Sequence, residues 1–192
     1  MSVTPIRKGA GVMGGRAVDA ALAFADRSPE ATSSRTITWQ DPVPTAAAGA
    51  ELAGVEYICA IQVGALPPPP IAVVMNFSMV EIDEGHAVFD GGPGEEHYNP
   101  IGVVHGGYAS TILDSVLGCS VHTTLPKGVG YTSQTLEVKY LRPITRDTGA
   151  VRAEAVVIHK GRKTATAEAK LTSVENGKLL ATGTSTCLLF EL

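Results

Sequence analysis

Cysteine is scarce in this chain: Cys59, Cys119 and Cys187 stand singly among 192 residues, with no CxxC and no Cys/His cluster at zinc-ligand spacing. That spacing argues against a disulfide framework and a structural metal, and the expected setting is the reducing cytoplasm. Basic charge is also in deficit, with 15 Lys+Arg against 19 Asp+Glu and a net charge of -4. A duplex-binding protein needs a basic face to displace counterions from phosphates, so nucleic acid is not an expected partner. No apolar run reaches the ~18 residues of a membrane span, so neither is a membrane. Arg7 and Lys8 precede a partly apolar stretch in the manner of an export signal, but Asp19 interrupts that stretch and Asp26 and Arg27 follow it. Internal repeats and long low-complexity runs are missing as well.

What is present is 44% hydrophobic and 18% charged. That suffices for one domain of ordinary size, or for a smaller domain with an appendage. Residues 1–44 read as a poorly ordered extension rich in Gly, Ala and Ser, with one weakly amphipathic stretch over Arg16 to Ala25. Residues 45–69 read as an N-terminal helix, about Thr45 to Gly64, with Leu52, Val55, Ile58, Cys59 and Ile61 at helical intervals, followed by a Pro-rich linker that cannot continue it. Residues 70–192 read as the main domain. Ile71 to Asp83 and His86 to Asp90 are expected as two strands around Gly85. Gly106 to His122 is the most apolar helical stretch, with Tyr108, Ile112, Leu113, Val116, Leu117 and Val121 at three- and four-residue spacings. Four segments with β-type alternation follow, Thr132 to Leu141, Val151 to His159, Thr164 to Val174 and Leu179 to Phe190, separated by turn-like breaks that include Asn176-Gly177. Short breaks of this kind join antiparallel neighbours, so at least three hairpin-linked strands are expected. The resulting order predicts an α+β fold, one antiparallel sheet covering a central helix.

The chemistry concentrates in Asn99 to Gly107 and the helix behind it. Gly106 and Gly107 at a helix start let a ligand approach free backbone N–H groups at the positive end of the helix dipole, where a carbonyl oxygen gaining charge can sit. The same two glycines equally serve a tight turn. Asp114 lies between Leu113 and Val116, where burying an unpaired carboxylate is costly. It needs a partner, a wet cleft or a catalytic task, unless it faces solvent on a narrow polar stripe with Ser110 and His122. Gly106 and Asp114 are eight residues apart, ~12 Å and ~80° along one helix. Reacting groups have to come within ~3–3.5 Å, so if both act on one bond the carboxylate comes from a second subunit. The cationic run His159-Lys160-Gly161-Arg162-Lys163 reads either as a solvated turn or as an anion contact.

Asn99-Pro100-x-Gly102-x-x-His105-Gly106-Gly107, Asp114 nine residues after His105, and Tyr140-Leu141-Arg142-Pro143 closing a strand together resemble the hotdog-fold acyl-CoA thioesterases of the phenylacetate-degradation (PaaI-like) type. The likeness runs from about Pro70 to Phe190. It implies a long antiparallel sheet wrapped around a central α-helix, here with an additional N-terminal helix, and a homodimer at minimum or a homotetramer. It also implies hydrolysis of an acyl-CoA thioester with no metal and no cofactor, coenzyme A being part of the substrate. By position, Gly106 matches the donor that polarises the thioester carbonyl. Asp114 matches the carboxylate that activates water or attacks directly. Asn99 matches the residue that orients thioester or water, and His105 the histidine that shapes the loop. Ser133, with Thr132 adjoining, falls where the family has a Ser or Thr near the lytic water. Gly107 is placed with substrate, and Arg162 and Lys163 with the phosphates of coenzyme A. No GxSxG and no Ser-His-Asp arrangement is evident. The rival implications are a hydratase or dehydratase of the same fold and a non-catalytic acyl-CoA sensor.

Overall fold

The computed structural model describes residues 32–192. Most of the extension expected over 1–44, including the stretch Arg16 to Ala25, lies outside them. The chain divides into two units, Met1–Thr36 and Ile37–Leu192, and the second carries all the elements below. In chain order these are α1 (Pro42–Ala50), α2 (Gly54–Gln62), α3 (Pro70–Met75), β1 (Phe77–Asp83), β2 (His86–Gly91), α4 (Gly106–His122), β3 (Val129–Tyr140), β4 (Val151–Lys160), β5 (Thr164–Ser173) and β6 (Leu179–Glu191). Among the described residues no helix is long and apolar enough to cross a membrane.

The six strands form one antiparallel sheet in the order β1-β2-β4-β5-β6-β3. Hairpins link β1 to β2 through Gly85, whose φ is +76°, and β5 to β6 through Asn176-Gly177, where Gly177 has φ +66°. These left-handed values are what glycine supplies without steric cost. The segment 141–150 is not a hairpin: β3 pairs with β6, from Val129 opposite Glu191 to Tyr140 opposite Ala181, and the chain then crosses to β4.

The sheet closes round α4 because its inner face is small. Ala153, Ala155, Ala165, Ala167, Ala169 and Ala181 are buried there, and a Cβ on Gly183 would lie 3.4 Å from Leu117 and 3.5 Å from Leu113. Into that space α4 inserts Tyr108, Ile112, Leu113, Val116, Leu117 and Val121, all buried as the spacing predicts. Each such aliphatic side chain contributes about 1.5–3 kcal/mol on burial.

Upstream, the structure corrects two expectations. The single helix expected over 45–64 is two, α1 and α2, broken at 51–53. Asp41 caps α1 by accepting the Val43 N–H at 3.0 Å, and the Gly54 N–H opening α2 donates to Leu125 O at 2.9 Å instead of to a helical carbonyl. A Cβ on Gly54 would lie 1.8 Å from His122 O, so α2 docks on the end of α4 backbone to backbone. The strand expected from Ile71 begins only at Phe77, because Pro70 opens a short helix, where its fixed φ and missing N–H are tolerated. Asn76, at φ 54°, ends that helix and donates its side-chain amide to Gly92 O at 2.6 Å.

One irregularity in β3 decides what faces α4. Ser133 pairs with Cys187 and Thr135 with Thr186, which leaves Gln134 as an extra residue. The bulge puts Tyr131 and Ser133 before it, and Leu136, Val138 and Tyr140 after it, on the same inner face.

Candidate functional site

The N-terminus of α4 is organised by the loop that precedes it. His105 is the N-cap, and its Nδ1 accepts the Gly107 N–H at 2.8 Å. In the neutral ring the proton therefore sits on Nε2. The His105 N–H donates to His97 O at 2.8 Å, and the Val104 N–H to Ile144 O at 3.0 Å, which fixes the loop from both sides. Asn99 Oδ1 accepts the N–H groups of Ile101 and Val103 at 3.1 and 3.3 Å. Its oxygen is thus spent on its own loop, and only the amide NH2 remains to meet a ligand. Gly106, the first residue of α4, has no helical partner for its N–H. It opens onto a cleft of about 310 Å³ lined by Val104, His105, Ala109, Tyr140 and the segment Leu141 to Ile144, with Leu180 and Ala181 behind.

Asp114 is half-buried, two turns further along α4, and accepts the Ser133 hydroxyl at 3.0 Å. Gly107, Ser110, Thr111 and Ser115 lie on the same less covered flank of the helix; of the expected polar stripe Ser110 is there, while His122 packs against Tyr57 and Tyr131. The groups around the carboxylate are held neutral. Burial, reinforced by the charge of Asp114, pushes the Cys119 thiol up to about 12, and burial first of all raises the Tyr131 hydroxyl well above its ordinary value. Thr132 adjoins Ser133 but points from the other face of β3. Arg162 and Lys163 are exposed at the β4–β5 turn. Thr164 pairs with Leu188 and Leu188 with Thr132, so that turn stands level with Thr132, two strand spacings or about 10 Å away.

The expected residues therefore form two groups. Asn99, His105, Gly106 and Gly107 gather at the helix start. Asp114 and Ser133 gather two turns on, with Arg162 and Lys163 at the same end of the sheet. The continuous helix keeps Gly106 and Asp114 ~12 Å apart along its axis. The sequence reading missed a pair beside Gly106: the Tyr140 hydroxyl lies 2.5 Å from Ser110 Oγ. The only sequence signal for it was Tyr140 at the close of a strand, and nothing local ties it to Ser110.

A six-stranded antiparallel sheet around one helix, with a histidine-capped, glycine-opened helix start at a cleft, defines the hotdog class. Residues 101–180 match the thioesterase superfamily. Human acyl-coenzyme A thioesterase 13 is 28% identical over 114 residues, 59% of this chain and 80% of that protein. The crystal structure of a phenylacetic acid degradation-related protein of Ralstonia eutropha JMP134, described as a thioesterase, superposes with a TM-score of 0.63 at 29% identity, over 69% of this chain and 98% of that one. The protein smu.793 of Streptococcus mutans, solved bound to acetyl CoA, shares the fold at a TM-score of 0.55 and 24% identity, over 60% of this chain and 90% of its own. Residues 101–180 thus carry a thioesterase-superfamily domain, set in a hotdog fold like that of the PaaI-like neighbours.

Proposed function

We propose that the protein hydrolyses acyl-CoA thioesters to the free acid and coenzyme A, at a site shared between two copies of the chain. One observation carries this reading. The unpartnered N–H of Gly106 and the carboxylate of Asp114 sit two turns apart on one rigid helix, too far to meet at one carbonyl carbon, and both lie on its accessible side. A second copy brings its own carboxylate to this Gly106. The free edge of β3 supports such pairing: among the described residues β3 bonds only to β6, and Thr132 to Glu137 are exposed on both faces. A homodimer is the smallest assembly that completes the site, and a homotetramer can be built from such dimers.

In the proposed reaction the thioester carbonyl oxygen accepts the Gly106 N–H. Asp114 of the partner subunit takes a proton from water as the water oxygen bonds to the carbonyl carbon. The carbonyl electron pair moves onto oxygen and then returns, breaking the C–S bond, and the thiolate leaves and is reprotonated. Ser133 holds the carboxylate oriented, and the Asn99 amide and Gly107 orient substrate. Arg162 and Lys163 meet the phosphates of coenzyme A, with Thr132 along the way. This chemistry requires no cofactor, because coenzyme A arrives as part of the substrate. The acyl-coenzyme A activity in the name of the human relative and the acetyl CoA bound by the streptococcal protein support the substrate class.

The test is steady-state hydrolysis across aryl, short, medium and long acyl-CoA thioesters with Asp114→Asn beside the unmodified protein. The amide keeps the hydrogen bond from Ser133, so the fold is retained while kcat falls by about 10²–10⁴. A kcat near that of the unmodified protein would remove Asp114 from the chemistry.

A further inference from the structure

The cleft beside Gly106 has apolar walls and few polar groups. His105 has its Nδ1 committed to Gly107, and Arg142 has one guanidinium nitrogen on Leu179 O at 2.6 Å. That leaves Tyr140. Its ring roofs Gly106 so closely that a Cβ there would lie 3.2 Å from Cε1 and Cζ and 3.4 Å from the hydroxyl oxygen. The glycine thus leaves room for the phenol, and the phenol stands in the same cleft as the helix-start N–H.

The Tyr140 hydroxyl is held rather than loose. Ser110 Oγ lies 2.5 Å from it. A serine inside a helix commonly bonds back to the carbonyl four residues earlier, as the neighbouring Thr111 does to Gly107 O at 2.8 Å. The Ser110 hydroxyl is instead turned to Tyr140. Two hydroxyls carry two protons and their mutual bond uses one. With Ser110 donating to Tyr140, the phenolic O–H is left to point into the cleft, and accepting a hydrogen bond makes it a better donor.

We propose that Tyr140, aligned by Ser110, donates a second hydrogen bond to the thioester carbonyl oxygen beside the Gly106 N–H. This rests on the reading of the cleft as the thioester site. Oxygen gains charge as water adds to the carbonyl carbon and loses it when the C–S bond breaks, so a donor aimed there acts mainly on kcat. Tyr140 is thereby a catalytic residue and Ser110 a positioning residue.

The experiment pairs kinetics with a spectrum. Tyr140→Phe keeps the ring over Gly106 and removes only the hydroxyl. Its kcat falls by roughly 10–100-fold with KM little changed, and Ser110→Ala loses a few-fold. In an Asp114→Asn background, which retains substrate, the infrared carbonyl stretch of a bound, isotope-labelled acyl-CoA moves to higher frequency when Tyr140→Phe is added. A Tyr140→Phe protein with undiminished kcat, or an unmoved carbonyl band, overturns the assignment of Tyr140 while hydrolysis and its dependence on Asp114 stand. If the unmodified protein hydrolyses no acyl-CoA, both this inference and the reading beneath it fall.

Discussion

At the scale of single residues, the site is built from groups that sit where packing alone would not put them. Asp114 interrupts an apolar helix, and glycine opens that helix at Gly106, so both were legible from the sequence: each is anomalous against its own neighbours. Asn99 stood out in the sequence through the motif it opens but its geometry did not, because no spacing reveals that its oxygen holds the backbone of Ile101 and Val103. The Ser110–Tyr140 bond joins residues thirty apart in sequence, and only the fold brings them together. His122 is a further case of packing acting on chemistry. Its ring lies 5.4 Å from those of Tyr57 and Tyr131, and burial lowers its pKa from the ordinary 6.5. The unfolded chain therefore binds a proton that the folded chain resists. This contribution to stability is complete above about pH 6.5 and is lost as pH falls from there towards the lowered folded value. Thermal melting between about pH 7.5 and 5 should show a steeper loss in the unmodified protein than in His122→Gln. Equal slopes would mean that His122 is not held neutral by the fold.

At the scale of elements, periodicity placed α4 at its observed bounds and found the long strands to within a few residues. It failed where local and tertiary preferences part. Pro70 reads as a helix stop yet opens α3, since proline is as well suited to a first turn as it is damaging to an interior. The pairing of β3 with β6 depends on how segment 141–150 crosses the sheet, which turn chemistry does not encode. The bulge at Gln134 was equally hidden, and it sets which side chains of β3 face α4. Side chains alternate with period two, so the extra residue Gln134 is what brings Ser133 and Leu136, three apart in sequence, to one face. Deleting Gln134 alone should leave a regular ladder with the same faces, whereas deleting Gln134 and Thr135 together should move Leu136, Val138 and Tyr140 off the inner face or force β3 to re-register. Either way the Ser110–Tyr140 bond is lost, Tm falls and hydrolysis collapses. A double-deletion variant with the unmodified Tm and kcat would show that the facing of β3 has no such role.

At the scale of the whole molecule, the small inner face of the sheet lets α4 sit deep, and α2 seals its C-terminal end through Gly54 and Tyr57. What stays uncovered is the flank carrying Gly107, Ser110, Thr111, Asp114 and Ser115, together with the free edge of β3. In the proposed reading the helix that makes the site also divides it, and a second copy of the chain resolves that division. The direct test is complementation between two inactive variants. Gly106→Pro removes the N–H at a first helical position whose backbone suits proline, since His105, at φ -62° and ψ 138°, is already extended, and the proline Cβ presses only on the Tyr140 ring of the same, already silenced site. Asp114→Asn removes the carboxylate. When the two proteins are unfolded together and refolded as a mixture, half of the dimers are mixed, and each of these has one site free of both changes. The shared-site account predicts recovery of about a quarter of the unmodified activity from two silent parents. A mixture that stays silent, with mixed dimers demonstrated by mass, would contradict it.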